Sequence, residues 1–379
     1  MFNTTSHKAP AAFPRQHGGT LLSTDHLELA YEKYTTTDNT IPSDFITFNL
    51  VFVHGNGMNK SVWKYYVGRL FEYAATTGRS EKWAIKSMVA MDVAVHGDSA
   101  ILNKGKLGWI YSWDDGARDI NALVKHEQQS SGDFIQDPRH RNIIVGHSLG
   151  GCQALFAVIF EPTLYDLAFT IDPVAYVTPQ AGQKYFKILP LLDKVYHDTF
   201  QSEKDLEKYL RSAFLKNFHP EILDDIIKDE KYFDEEDGLY KTKASKPQQF
   251  AIYMGGPGSI PIVMKLMSAI STPVVHIEAL RGKFNAPGTS DFIRSAIPKE
   301  YLKTIDLDGE HLINGEDPES ILKCIKESLS ERAATAATNI SSNYYPEIVY
   351  NGDREKIFKS KWESTFVARN FGTDAKPKI

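Results

Sequence analysis

Cysteine is nearly absent from this 379-residue chain: Cys152 and Cys324 are the only two, too few for a disulfide-built scaffold and in keeping with a reducing compartment. Cys152 reads as a small core residue. No apolar run approaches the roughly 18 residues of a membrane-spanning helix. The opening Met1-Phe2-Asn3-Thr4-Thr5-Ser6-His7-Lys8 lacks the apolar stretch of a secretory leader, so neither secretion nor membrane insertion is expected. Positive charge is not in excess, with 43 Lys and Arg against 48 Asp and Glu and a formal net charge of −5. Without a Lys/Arg stripe interleaved with aromatics, nucleic acid is excluded as an expected partner. There is no Gly-Lys-Ser/Thr phosphate loop and no dinucleotide fingerprint. The 12 histidines hold no convincing metal-ligand spacing, His140, His147 and the His96/Asp98 neighbourhood included. Neither a metal nor a cofactor is expected, and no internal repeat or heptad is present.

What the chain does have is 42% hydrophobic and 24% charged residues, material for one large domain with an inserted subdomain. Residues 27–34 alternate apolar and polar side chains with period two, as an antiparallel edge or near-edge strand does. Residues 45–53, 84–92, 142–146 and 167–174 are near-continuous apolar strands separated by helix-like stretches, 113–123 among them. This alternation predicts a mostly parallel sheet covered by helices on both faces, with functional groups at the carboxyl ends of its strands. Residues 1–20 read as an irregular arm. From about 175 to 270 the alternation lapses into a helical, polar segment. Its charge run at 228–237 reads as a solvated face and 254–258 as a glycine-rich break. Strands at 273–280 and 301–306 then resume the pattern, and Pro318 opens a further helix.

The sharpest local signal is Ile143-Ile144-Val145-Gly146-His147-Ser148-Leu149-Gly150-Gly151. A β-branched run breaks into Gly-x-Ser-x-Gly and then into a helix-forming stretch, which is the strand-to-helix turn of a nucleophile elbow. Ser148 becomes the candidate nucleophile, and an unassisted serine is a weak one, so a base and an orienting acid are required. His311, late in the chain within Asp308-Gly309-Glu310-His311-Leu312, is the candidate base. For the acid, Asp172 closes the strand after the elbow, although an Asp-Pro step also serves simply to end a strand. Glu278, inside the next strand, and Asp291 beyond it remain alternatives. The backbone N–H of Leu149 and that of Asn56, in the turn after 51–53, are the candidate oxyanion donors. Met58 and Trp63 are candidate lining residues of an acyl pocket, with core packing the other use for Trp63.

Taken in order, His54-Gly55-Asn56-Gly57-Met58, Met91-Asp92 running into His96-Gly97-Asp98-Ser99, Gly146-His147-Ser148-Leu149-Gly150, Ile171-Asp172-Pro173 and Gly309-Glu310-His311 resemble the α/β-hydrolase superfamily, most closely the fungal peroxisomal lipase group. The resemblance implies an α/β-hydrolase fold with a mostly parallel central sheet flanked by helices and an inserted helical cap. The expected division is an arm at 1–20, the hydrolase core at 21–174 and 271–333, the cap at 175–270 and a C-terminal extension at 334–379. The group's activity implies serine-dependent hydrolysis of lipid esters. The same triad could cleave an acyl-CoA thioester or a carbon–carbon bond, and a non-catalytic ligand-binding or interaction protein is the alternative from a different class. The loop from Arg281 to Asn285 carries no acid, which favours Asp172. Pro377, Lys378 and Ile379 loosely match a peroxisomal import signal, so an import receptor is an expected partner and the peroxisomal matrix the expected location, with cytoplasm as the alternative. The oligomeric state is left open.

Overall fold

The computed structural model describes residues 2–37, 41–178, 189–212, 215–342 and 351–363. The chain divides into two compact units, Met1–Ala334 and Thr335–Ile379. In the first unit the strands run β1 (Phe2–Pro10), β2 (Glu28–Thr36), β3 (Ile46–Val53), β4 (Trp83–Met91), β5 (His140–His147), β6 (Leu167–Ile171), β7 (Thr199–Phe200), β8 (Lys231–Asp234), β9 (Leu239–Thr242), β10 (Val274–Ala279) and β11 (Leu302–Leu307). Eight of them form one sheet in the order β1-β2-β4-β3-β5-β6-β10-β11. The first two pairings are antiparallel and all the rest parallel. This is the doubly covered, mostly parallel sheet of the α/β-hydrolase fold. β3 is buried along its whole length, the price of helices on both of its faces.

Helices α1 (Lys64–Tyr73), α2 (Gly97–Leu102), α3 (Trp113–Ser130) and α4 (Leu149–Phe160) belong to the first half of the sheet. In α4 every residue from Leu149 to Val158 is buried. Its continuous apolar sequence therefore reflects burial from all sides rather than one amphipathic face.

Three local expectations need correction. Residues 2–10 are not irregular but form the edge strand β1, paired with β2 from Phe2 opposite Thr36 to Pro10 opposite Glu28. Most of β1 is exposed, so backbone hydrogen bonds hold it while its side chains leave no hydrophobic alternation to read. The inserted region is not purely helical. Beside α5 (Glu203–Ser212), α6 (Pro220–Glu230) and α7 (Lys246–Leu266) it holds a small antiparallel sheet, β7-β9-β8, with strands too short to show a period. The supposed break at 254–258 lies within the continuous helix α7. That helix is held against the start of α3: Tyr111 N–H donates to the Ala251 carbonyl at 2.9 Å and the Trp113 indole N–H to the Ile252 carbonyl at 2.9 Å.

The first unit is completed by α8 (Thr289–Ala296), α9 (Ile313–Glu316) and the start of α10 (Pro318–Ser341), and the second holds α11 (Asn351–Trp362). Pro377, Lys378 and Ile379 lie outside the described residues. Among the described residues no helix is long and apolar enough to cross a membrane.

Candidate active site

The site is assembled at the carboxyl ends of β3, β5, β6 and β10. Ser148 sits between β5 and α4 with φ +54° and ψ −114°, a left-handed conformation that side chains rarely adopt and that functional sites retain when the surroundings enforce it. Close approach enforces it here: a Cβ at Gly146 would lie 2.1 Å from the Gly150 carbonyl oxygen, and one at Gly150 2.4 Å from that of Val53. The turn thus holds the Ser148 side chain out of the sheet's end.

His311, in the loop after β11, places Nε2 2.9 Å from Ser148 Oγ. Its Nδ1 lies 2.5 Å from Asp172 Oδ2. Asp172, just past β6, is itself at φ +41°. Its Oδ1 accepts the Ala279 backbone N–H at 3.2 Å and its Oδ2 the Asn285 side-chain N–H at 3.1 Å. With both carboxylate oxygens so engaged, the proton of His311 is fixed on Nδ1, leaving Nε2 free to accept the serine proton. The arrangement is chemically able to deprotonate a buried serine hydroxyl.

The two alternative acids are not brought to the imidazole. Glu278 faces Arg294, whose guanidinium donates to it at 2.8 Å, and Asp291 is exposed in the first turn of α8. Leu149 opens α4, so its N–H is among the helix's unpaired amides. The segment carrying Asn56 is pinned from both sides. Val93 N–H donates to His54 Nε2 at 3.2 Å, and Gly57 N–H to His96 Nε2 at 3.0 Å. Burial keeps both imidazoles neutral, His54 lowered to about 4 and His96 well below its ordinary value. The absence of a side chain at 55 lets this loop lie on the elbow, because a Cβ there would be 2.8 Å from His147 Nδ1 and 3.2 Å from Ser148 Cβ.

Above the site is a cavity of about 200 Å³, too large for a single water. Met58 and Asn56 line it from the sheet side; Leu210, Leu215, Ile226 and Tyr253 line it from the inserted region. Trp63 does not line it, a correction to the expectation. Its indole is wholly buried between Phe52 and Tyr66, with ring centroids 5.2 and 5.1 Å away, where its large apolar area is better buried than in a substrate cavity.

Several participants escaped the sequence reading. Asn285 lies in the loop searched without success for an acid, and it braces Asp172 instead. Phe284 stacks on His311 at 4.5 Å between ring centroids. The His147 ring is 2.7 Å from the His311 carbonyl oxygen through Nε2, so that nitrogen carries the proton. Burial pushes this imidazole down to about 3, and it clamps the backbone of the neighbouring histidine as a neutral donor.

The charge run at 228–237 is likewise only partly solvated. Lys60 Nζ lies 3.0 Å from Asp92, 2.7 Å from Asp98 and 2.9 Å from Asp229. Lys243 joins Asp98 and Asp229 at 2.6 and 3.1 Å. No sequence spacing announces this cluster, whose members come from distant segments.

Comparison with known proteins places these features in a wider setting. The family described as "Alpha/beta hydrolase family" matches residues 50–320. The chain is 30% identical over 380 residues to the protein of Saccharomyces cerevisiae named "Peroxisomal membrane protein LPX1", covering 96% of this chain and 95% of that protein. It superposes on the solved yeast structure titled "Peroxisomal alpha-beta-hydrolase Lpx1" with a TM-score of 0.76 at 28% identity, covering 98% and 99% of the two chains. A second relative, the "Type I acyl-CoA thioesterase mpaH" of Penicillium roqueforti, is 29% identical over 180 residues, 47% of this chain and 38% of that protein.

Proposed function

The chain belongs to the alpha/beta hydrolase family, and from that premise we propose that it is a serine esterase cleaving carboxylic esters of the lipid class through an acyl-enzyme. The observation that carries this reading is the unbroken relay from Ser148 Oγ to His311 Nε2 at 2.9 Å and from His311 Nδ1 to Asp172 at 2.5 Å. His311 takes the Ser148 proton as Oγ attacks the ester carbonyl, and Asp172 stabilises the resulting imidazolium. The N–H groups of Leu149 and Asn56 receive the oxyanion, each contributing about 3 kcal/mol to the transition state. The imidazolium then protonates the leaving alcohol. Water deprotonated by His311 next attacks the acyl carbonyl, and collapse of that second tetrahedral species returns Ser148 and frees the acid.

Residues 175–270 serve as the cap, since they supply the cavity's apolar wall. A peroxisomal association is supported by the name of the yeast relative, which reads as a membrane protein; the matrix location proposed for this chain rests on the resemblance of Pro377, Lys378 and Ile379 to an import signal. Import would then proceed through a receptor for that signal. The test is a panel of lipid esters read by mass spectrometry, together with fluorophosphonate labelling. Both signals should vanish in Ser148→Ala, and persistent labelling of another serine refutes the assignment. A second reading, acyl-CoA thioester hydrolysis, is favoured by the Penicillium likeness. A matched thioester in the same panel separates the two.

A further inference from the structure

The cavity is mostly apolar, yet three polar side chains open into it with unused hydrogen-bonding capacity. Gln249, from α7, is 7% exposed, and its Oε1 has no hydrogen-bond partner. Its Nε2 reaches only the Ala244 carbonyl, at 3.4 Å. Glu230, at the end of α6 and also 7% exposed, accepts one bond on each oxygen: Asn59 Nδ2 at 3.0 Å and Ala244 N–H at 3.1 Å. A carboxyl group has about four acceptor positions, so roughly half of its capacity is unused. The buried Asn56 amide lies beside the Tyr253 hydroxyl and closes no hydrogen bond of good geometry. Buried polar groups with unmet capacity are unfavourable unless a ligand or water answers them.

Their position relative to the reacting bond is fixed by the 54–60 loop. Gly55 lies against Ser148, a Cβ at Gly57 would be 3.7 Å from Gln249 Oε1, and the Asn59 side chain touches Glu230. The polar groups therefore follow the loop inward from the nucleophile. The other side of the site opens outward, because Phe284, stacked on His311, is 51% exposed. The leaving alcohol takes its proton from His311 and departs while the acyl group is still attached to Ser148. With the alcohol departing past Phe284, the acyl chain is left the side of the cavity along the 54–60 loop.

We propose that Gln249 and Glu230, with the Asn56 amide at the near end, form a polar subsite that receives a hydroxyl group carried on the acyl chain of the substrate. This rests on the ester-hydrolase reading above. A hydroxyl fits because it donates and accepts at once: it gives its one proton to Gln249 Oε1 and accepts one from the protonated Glu230 carboxyl. Burial raises the Glu230 carboxyl to about 7, so both states are populated near neutrality.

The experiment compares kcat/KM for the p-nitrophenyl ester of a straight-chain acid with esters of the same acid hydroxylated at successive positions. The expected result is one position preferred by about tenfold or more, the discrimination available where buried polar groups otherwise go unpaired. Gln249→Met, of similar shape and without the amide, should bring that ratio to within about twofold of unity. Glu230→Gln provides a second variant should the first not fold. A wild-type ratio at or below one at every position overturns the subsite, as does a preference that survives both substitutions. Plain esters hydrolysed through Ser148 with a flat hydroxyl scan sink the subsite alone. If no Ser148-dependent hydrolysis is seen, the ester reading fails instead. Thermal shifts of Ser148→Ala with free hydroxylated and plain acids then decide the subsite, equal shifts overturning it and a larger shift with the hydroxylated acid supporting it.

Discussion

Replacing Asp172 by Asn should disable the site through a tautomer change rather than a loss of shape. The new amide must satisfy the Ala279 N–H, which donates to Oδ1 at 3.2 Å, so its oxygen occupies that position. Its NH2 group then replaces Oδ2 against His311 Nδ1. Asn285 does not oppose this orientation, because its own Oδ1 has no partner and a flip of its amide presents an acceptor to the new NH2. His311 Nδ1 must now accept, which moves the ring proton to Nε2, facing Ser148 Oγ at 2.9 Å. A protonated Nε2 cannot take the serine proton. The expected loss in kcat is about ten-thousandfold, or roughly 5 kcal/mol of transition-state stabilisation. The assay is kcat on a p-nitrophenyl ester together with the rate of fluorophosphonate labelling, with Glu278→Gln as the comparison. Glu278 is engaged with Arg294 at 2.8 Å, and its substitution should change kcat by less than about twofold. An Asp172→Asn enzyme within tenfold of wild type, or a larger loss in Glu278→Gln, refutes the reasoning.

Gly55→Ala introduces a Cβ 2.8 Å from His147 Nδ1; it should cost about 1–3 kcal/mol in a denaturant melt and lower kcat about a hundredfold by displacing the Asn56 amide. His147→Leu removes the donor that holds the His311 carbonyl. It should reduce kcat by about ten- to a hundredfold with little change in KM, and His147→Gln, which keeps an N–H, should recover part of the loss. Stability should fall as pH drops from 7 to 5. His54, His147 and His276 are lowered by burial to about 4, 3 and 4, and His96 lower still than its ordinary value, so below pH 6.5 the unfolded chain binds protons that the folded one refuses. Glu230 and Asp92, raised by burial to about 7 and 6, act in the opposite direction. Four imidazoles against two carboxyls leave a net loss of roughly 2–3 kcal/mol per pH unit between 6 and 5. Calorimetry showing a Tm that is flat or rising across that interval contradicts this balance.

The sequence disclosed those elements whose residues answer to one dominant constraint. β3 and β5 were legible because burial on both faces forces a continuous apolar run, and the elbow because its backbone tolerates only glycine at two fixed positions. β1 was illegible because its contribution is backbone pairing along an exposed edge. α7 reads as broken in the sequence because the low helix propensity of the glycines and prolines at its centre is overridden only by packing against the start of α3. For Trp63 the sequence left both a cavity and a core role open, and burial against Phe52 and Tyr66 decides for the core. Asn285 and His147 could not be read at all, since their work is done on Asp172 and on the His311 backbone, contacts that exist only once the chain has folded.

The 54–60 loop links these observations. Its Asn56 lines the cavity with Ser148, its Asn59 side chain holds Glu230, and its Lys60 draws together Asp92 and Asp98 from the core and Asp229 from the inserted region. One short segment therefore positions the proposed oxyanion donor, a carboxyl group in the cavity and the charge that fastens the cavity's wall. Its anchoring charge is the costly kind to break, because Lys60 is 3% exposed and three carboxylates surround it. Lys60→Met leaves Asp92, wholly buried, and Asp229, nearly so, short of a cation and should destabilise the protein by about 3–5 kcal/mol. If the loop couples wall and nucleophile as drawn, the surviving folded enzyme should lose kcat as well as substrate affinity, since a shift at residue 60 is carried to the Asn56 amide within a single turn. A Lys60→Met enzyme with an unchanged kcat and a raised KM shows instead that the wall moves independently of the oxyanion donor.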